Sequence, residues 1–171
     1  MRVPIILGTA RANRMSEHVA NFLLVKAKEA GFDSEIIDVR DYRLEATDNS
    51  GNPEPAKKWA DIVAGADGLI FVTPEYNHSY PGELKMMLDM LYKEYAGKKA
   101  AVCGVSAGNF GGARVVELMN LLLVTLGISP AQYSMNVFNV NQVFDESGKL
   151  VDESYGKKAE QFLASFKKFI S

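Results

Sequence analysis

Five short apolar segments, residues 3–7, 34–39, 69–73, 100–105 and a more polar one at 132–138, are separated by stretches whose apolar residues recur at helical spacing. No other feature of the sequence limits the fold so tightly. Strands that alternate with helices pair in parallel, and their crossovers are right-handed in nearly every case. The runs VPIIL, LIFVT and AAVCGV are apolar at almost every position, the pattern of strands covered on both faces. The expected architecture is a three-layer, doubly wound α/β domain, with a five-stranded parallel sheet in the order 2-1-3-4-5. One domain over residues 1–171 is expected, long enough to bury roughly 70% of its extended surface.

The segments between strands supply helices of distinct character. Val19, Phe22, Leu23, Ala27 and Ala30 share one face of the first, with Gly31 as its stop. A short second helix is expected at about 56–64. The third begins near Pro81, with Ser79 as candidate cap and Leu84, Met87, Leu88 and Leu91 on one side. In the fourth, Val115, Leu118, Met119, Leu122, Leu123 and Leu126 form a stripe, yet Val116 and Leu121 lie outside it. A helix apolar over more than one face has a second surface to cover, so a homodimer or homotetramer is expected. A final helix is expected at 154–170, and residues 40–55, rich in turn formers and charge, read as a surface excursion.

Composition narrows the partners. With 19 basic and 21 acidic residues the chain has neither a nucleic-acid footprint nor a strongly acidic docking surface, which leaves small molecules and copies of itself. Its single cysteine, Cys103, excludes an internal disulfide framework and a cysteine-rich zinc site. That suits a reducing cytoplasm. No stretch approaches the ~20 apolar residues of a membrane span, so no membrane insertion is expected.

In open α/β sheets ligands bind beyond the carboxyl ends of the strands, where strand order reverses. Three loops meet there. The first, GTARANRMSEH from Gly8, lacks both the three glycines of a dinucleotide fingerprint and the Gly-Lys-Ser/Thr of a P-loop. It offers instead Thr9, Asn13 and Ser16 with Arg11 and Arg14, directly before a helix. Free N–H groups at a helix start, hydroxyls and a bidentate guanidinium are the chemistry of a terminal phosphate monoester. The same residues also read as capping, with Asn13 as N-cap and two solvated arginines.

The second loop, PEYNHSY after Thr73, is longer than a plain connection and carries two tyrosine faces and irregular backbone, which suit a flat heteroaromatic ring. The third, SAGNFGG from Ser106, has three glycines in five positions, which let backbone approach a ligand closely or simply turn into the next helix.

Together these loops resemble the NADPH-dependent FMN reductases of flavodoxin-like fold, a family that includes quinone, azo and chromate reductases. GTARANRMS is similar to that family's phosphate loop, and TPEYNHSYPGELKMMLD to its most specific signature, with Thr73 to Asp89 agreeing at every fixed position. Where members often carry a tryptophan after the aspartate, Met90 and Leu91 follow here. The resemblance implies FMN as cofactor and NADPH or NADH as co-substrate. By it, Thr9, Arg11 and Ser16 would hold the phosphate, with Met15 also binding the cofactor; Pro74, Glu75, Tyr76 and Asn77 would line the ring; Ser106, Ala107 and Gly108 would close the other side. The implied reaction is hydride transfer from NAD(P)H to FMN, then ping-pong reduction of a quinone, azo compound, metal oxyanion or free flavin.

An electron carrier of the same fold, a flavodoxin without NAD(P)H oxidation, is the alternative, and a flavin-free binding module a third. Flavodoxins resemble one another in a marked acidic surface, whereas this chain has a net charge of only -2 and arginines in its first loop. Arg14 and Arg114 stand where they could reach a nucleotide 2'-phosphate. His78 would suit proton donation by its ordinary pKa, yet no catalytic residue is assigned. No Gly-x-Ser-x-Gly elbow follows any strand.

Overall fold

The structure, a computed structural model, describes residues 1–47 and 50–171. Its strands are β1 (Ile5–Leu7), β2 (Ile36–Asp38), β3 (Leu69–Pro74), β4 (Lys99–Val105), β5 (Ser129–Pro130) and β6 (Met135–Val137). All named pairings are parallel, in the order β2-β1-β3-β4-β5, with β6 also on β4. The expected order is observed, with the fifth row divided in two: β5 pairs with Lys99 and Ala100 and β6 with Cys103 to Val105. Pro130 has no N–H to give the ladder. After the Ala131 N–H bonds the Ala100 carbonyl at 2.7 Å, residues 132–134 leave the sheet.

Helices α1 (Ser16–Glu29), α2 (Glu54–Gly65), α3 (Gly82–Leu88), α4 (Ala113–Thr125), α5 (Val140–Val143) and α6 (Ser154–Ile170) cover both faces. Because both faces are covered, adjacent strand residues are buried in opposite layers. Ile70 and Val72 join α1 and α6 through Leu23, Phe162 and Phe166. Leu69 and Phe71 join the other layer with Trp59, Leu84, Met119 and Leu123. That alternation explains why β3 is apolar without a break from Leu69 to Val72.

Local differences from the expectations concern helix starts. Met15, not Asn13, occupies the cap position of α1, and Asn13 instead turns the loop with φ +51°. Pro81 caps α3 without a side-chain bond, so Ser79 is not the cap. Within 40–55, residues Val39–Tyr42 form a 3-10 turn that buries Tyr42 against Trp59; Asp48 and Asn49 lie outside the described residues. Val116, outside the expected stripe of α4, is buried, while Leu118, Leu121 and Val124 are exposed. Gly104 permits the close approach of α4 to β4, since a Cβ there would lie 2.7 Å from the Gly112 carbonyl oxygen. Among the described residues no helix is long and apolar enough to cross a membrane.

Candidate functional site

A cleft of about 240 Å³ opens at the carboxyl ends of β1, β3 and β4, the switch point of the sheet. Arg11, Met15, Ser16, Pro74, Glu75, Tyr76, Ser106 and Ala107 line it. Thr9, Asn77 and Gly108 do not stand among its lining residues.

Thr9 is fully buried beneath the first loop. Its hydroxyl pairs with the Tyr76 hydroxyl at 2.9 Å and accepts the Arg11 N–H at 3.3 Å, so it ties the first loop to the second. The guanidinium of Arg11 stacks on the Tyr76 ring, 4.4 Å from its centroid. Ser16, 2% exposed at the start of α1, has a hydroxyl with no hydrogen-bond partner. A buried hydroxyl left without a partner costs free energy, and a ligand oxygen at the helix start would satisfy it.

Arg14 has a different task from the expected one. Its guanidinium is buried and spent on the Asp38 carboxylate, the Thr9 carbonyl and Glu17. Burial by itself would raise the Asp38 carboxyl; hydrogen bonds from Arg14 and the Arg40 N–H, with both arginine charges, outweigh it and hold the group below its ordinary range. Arg40 straps the same loop from outside, donating to the carbonyls of Ala10 at 3.2 Å and Arg11 at 2.6 Å. Two of three guanidinium groups at this loop thus brace its backbone, and Arg11 faces the cleft.

The second loop is a tight hairpin. Tyr76 and Ser79 exchange both backbone hydrogen bonds, at 2.8 and 2.9 Å, around Asn77 and His78, whose φ values are +49° and +65°. Positive φ at both central residues is the type I′ turn of two-residue hairpins. It sends Asn77 and His78 to solvent and leaves Pro74, Glu75 and Tyr76 along the cleft. Glu75 is anchored by Arg114, 3.0 Å away, so Arg114 too is already partnered.

The third loop is tied to the end of the sheet. The Gly108 N–H donates to the Ser106 hydroxyl at 3.0 Å, and the Val140 and Asn139 N–H groups donate to the carbonyls of Ser106 and Gly108, each at 3.1 Å. These bonds carry Val140 and Asn141 into the cleft wall, along with Val105. Sequence reasoning missed them, although the polar NVNQ run directly beyond the last strand lies where ligands bind in such sheets.

With this geometry in view, comparison with known proteins is decisive. The family model described as NADPH-dependent FMN reductase matches residues 1–142. The chain belongs to that family. It is 38% identical over 121 residues to an NAD(P)H-dependent FMN reductase of Schizosaccharomyces pombe, a match covering 65% of this chain and 60% of that protein. It is 31% identical over 172 residues to a quinone reductase of Pseudomonas putida, covering 96% and 89% of the two chains. Among solved structures, the flavoenzyme NAD(P)H:(acceptor) oxidoreductase FerB of Paracoccus denitrificans superposes with a TM-score of 0.81 at 24% identity, over 99% of this chain and 96% of that one, which establishes the shared fold. The family implies FMN, and the residues present fit it. The partnerless Ser16 hydroxyl, the start of α1 and Arg11 suit a phosphate, while the opposing walls 74–76 and 105–107 suit a flat ring. Among the described residues no cluster of side chains could hold a metal ion.

Proposed function

We propose that this chain is an FMN-dependent NAD(P)H oxidoreductase that oxidises NADPH or NADH and passes the reducing equivalents to a second small acceptor in the same cleft. FMN, when bound, supplies the hydride-accepting and hydride-donating ring. The chain's own residues bind and orient. Arg11, Met15, Ser16 and the first turn of α1 hold the phosphate end, and Thr9 acts from beneath by fixing Tyr76. Pro74, Glu75 and Tyr76 form one wall for the ring, and Ser106 and Ala107, with Val140 and Asn141, the other. Asn77 and Gly108 shape these walls through their backbone. No side chain is assigned an acid-base step.

The observation that carries this reading is the Ser16 hydroxyl, buried without a partner at the helix start that closes the same cleft. The residues 1–171 act as one domain in the cytoplasm. A homodimer or homotetramer is supported by Leu118, Leu121 and Val124, which stand exposed on α4. Sedimentation of a monomer at micromolar concentration would overturn that assembly.

The test is to purify the protein, record the visible flavin spectrum and add NADPH under anaerobic conditions. Bleaching at the rate of turnover supports the enzyme; a flavin that stays oxidised fits an electron carrier. For the phosphate end, Arg11→Ala is expected to weaken FMN binding by at least about 1 kcal/mol, a threshold set just under the low end of about 1.5 kcal/mol for a hydrogen bond to a charged group. An unchanged dissociation constant removes Arg11 from the site.

A further inference from the structure

One large aromatic side chain near the cleft has no structural task. Phe110 is 61% exposed, in a turn that the protein otherwise holds rigidly. Its carbonyl accepts the Ala113 N–H at 3.0 Å, and the Asn136 side-chain amide donates to the next carbonyl, that of Gly111, at 3.0 Å. Gly111 and Gly112 both have positive φ, and a Cβ on Gly111 would meet the Phe138 ring at 2.7 Å. The turn is therefore fixed by backbone that only glycine adopts readily, and it presents the ring to solvent.

Over that ring lies a cation. The Arg114 guanidinium sits 4.6 Å from the Phe110 centroid and also pairs, through one terminal nitrogen at 3.0 Å, with Glu75, whose side chain is 10% exposed and whose residue lines the cleft. Phe110, Arg114 and Glu75 thus form a continuous edge running from solvent to the cleft wall. We propose that Phe110 and Arg114 are the acceptor-selecting edge of this cleft, favouring planar aromatic acceptors that carry a single negative charge. The proposal rests on the oxidoreductase reading given above. An exposed aromatic face stabilises a second flat ring by stacking, and the free N–H groups of a half-exposed guanidinium attract an anionic substituent.

The charge count decides between an acceptor and the 2'-phosphate of a nucleotide. Arg114 already shares its charge with Glu75, so the pair is close to neutral. A phosphate dianion brought there would meet one half-compensated cation and a neighbouring carboxylate. A ring with one negative charge draws on stacking as well and repels Glu75 less.

The probe is 2-naphthalenesulfonate, a redox-inert flat anion, titrated into the FMN-loaded protein and followed by the flavin difference spectrum. Its uncharged analogue 2-naphthalenesulfonamide is the control. Arg114→Gln is expected to weaken the sulfonate about tenfold, the low end for a hydrogen bond to a charged group, and to leave the sulfonamide within about twofold. Phe110→Leu is expected to weaken both about three- to tenfold through lost stacking. In turnover, the ratio of kcat/KM for 1,4-naphthoquinone-2-sulfonate to that for 1,4-naphthoquinone should fall about tenfold in Arg114→Gln. The intrinsic reactivities of the two quinones cancel in that comparison between proteins.

Several results overturn the proposal: unchanged sulfonate affinity in both variants, equal loss of sulfonate and sulfonamide in Arg114→Gln, or an effect on the KM for NADPH relative to NADH in place of the acceptor ratio. Dissociation of an oligomer by Phe110→Leu would also overturn it, by making this ring an interface residue. If the wild type binds the sulfonate through Arg114 yet its flavin is not bleached by NADPH or NADH, the oxidoreductase reading fails and the anion-binding edge stands.

Discussion

Replacing Arg14 by methionine removes the guanidinium and keeps much of the apolar stem. The wild-type side chain is 2% exposed and serves Asp38 with two nitrogens, Glu17 at 3.2 Å and the Thr9 carbonyl. After the change Asp38 keeps only the Arg40 N–H, at 3.0 Å, and the Thr9 carbonyl loses its donor. Breaking a buried ion pair from one side costs about 3–5 kcal/mol, and the Asp38 side chain, 24% exposed, regains some hydration, so the low end, about 3 kcal/mol, is expected. With a urea m-value of about 2 kcal/mol/M, the unfolding midpoint should fall by about 1.5 M. Because the pair is shielded from solvent, most of the difference should survive in 1 M salt, which screens exposed pairs. Asp38 titrates below its unfolded value, so its contribution is full above the ordinary carboxylate range and is lost as pH falls through the lowered folded value. The stability gap between wild type and Arg14→Met should therefore narrow in acid, below that range. A loss under about 1 kcal/mol at neutral pH, or a gap that widens in acid, would refute the view that this pair holds the first loop.

His78→Gly should raise stability by about 1 kcal/mol, since left-handed backbone costs a non-glycine residue roughly that much, with kcat unchanged; a large fall in kcat would give the imidazole a catalytic task after all. Trp59→Phe deletes the indole N–H that donates to the Tyr95 hydroxyl at 2.6 Å, which itself donates to the Leu88 carbonyl at 3.0 Å. Lost contacts and the bond together should cost about 2 kcal/mol in urea unfolding, and a neutral result would mean that this buried chain contributes nothing. Cys103 is buried in β4, and burial pushes its thiol well above the ordinary range, so a thiol-specific chromogenic reagent should react only at the global unfolding rate; fast labelling of the folded protein would contradict the packing.

The carboxyl ends of the strands were legible because their residue types restrict the backbone before any tertiary contact forms. The length and tyrosines of PEYNHSY after a β run point to a ring-lining loop, the glycines of SAGNFGG to close approach, and the uninterrupted apolar strands to a sheet covered twice; the tight turn at Asn77 and His78 was not read. What escaped the sequence is direction. Thr9 stands in the phosphate loop, yet its hydroxyl also meets that of Tyr76, sixty-seven positions on, and Arg14 looks like an anion clamp until Asp38 takes its charge. Neither partner can be chosen from spacing, because each lies across the sheet on another strand's end. The same limit hid the division of the fifth row, which follows from Pro130 meeting a partner strand, and the arrival of Val140 and Asn141 in the cleft, which follows from their N–H neighbours binding the third loop.

These corrections alter the chemistry of the cleft in one direction. With Arg14 paired to Asp38, Arg40 bonded to backbone carbonyls and Arg114 paired to Glu75, three of the four nearby guanidinium groups are compensated or bound within the protein. Arg11 remains, lying on the Tyr76 ring with no ion-pair partner among the described residues. An anion entering at the start of α1 would therefore meet one uncompensated cation on a braced loop, so its binding need not disturb the ion pairs that hold the fold. That arrangement separates stability from ligand affinity: Arg14→Met should act chiefly on unfolding and Arg11→Ala chiefly on binding. A double substitution whose two effects fail to add would show that bracing and binding are one network.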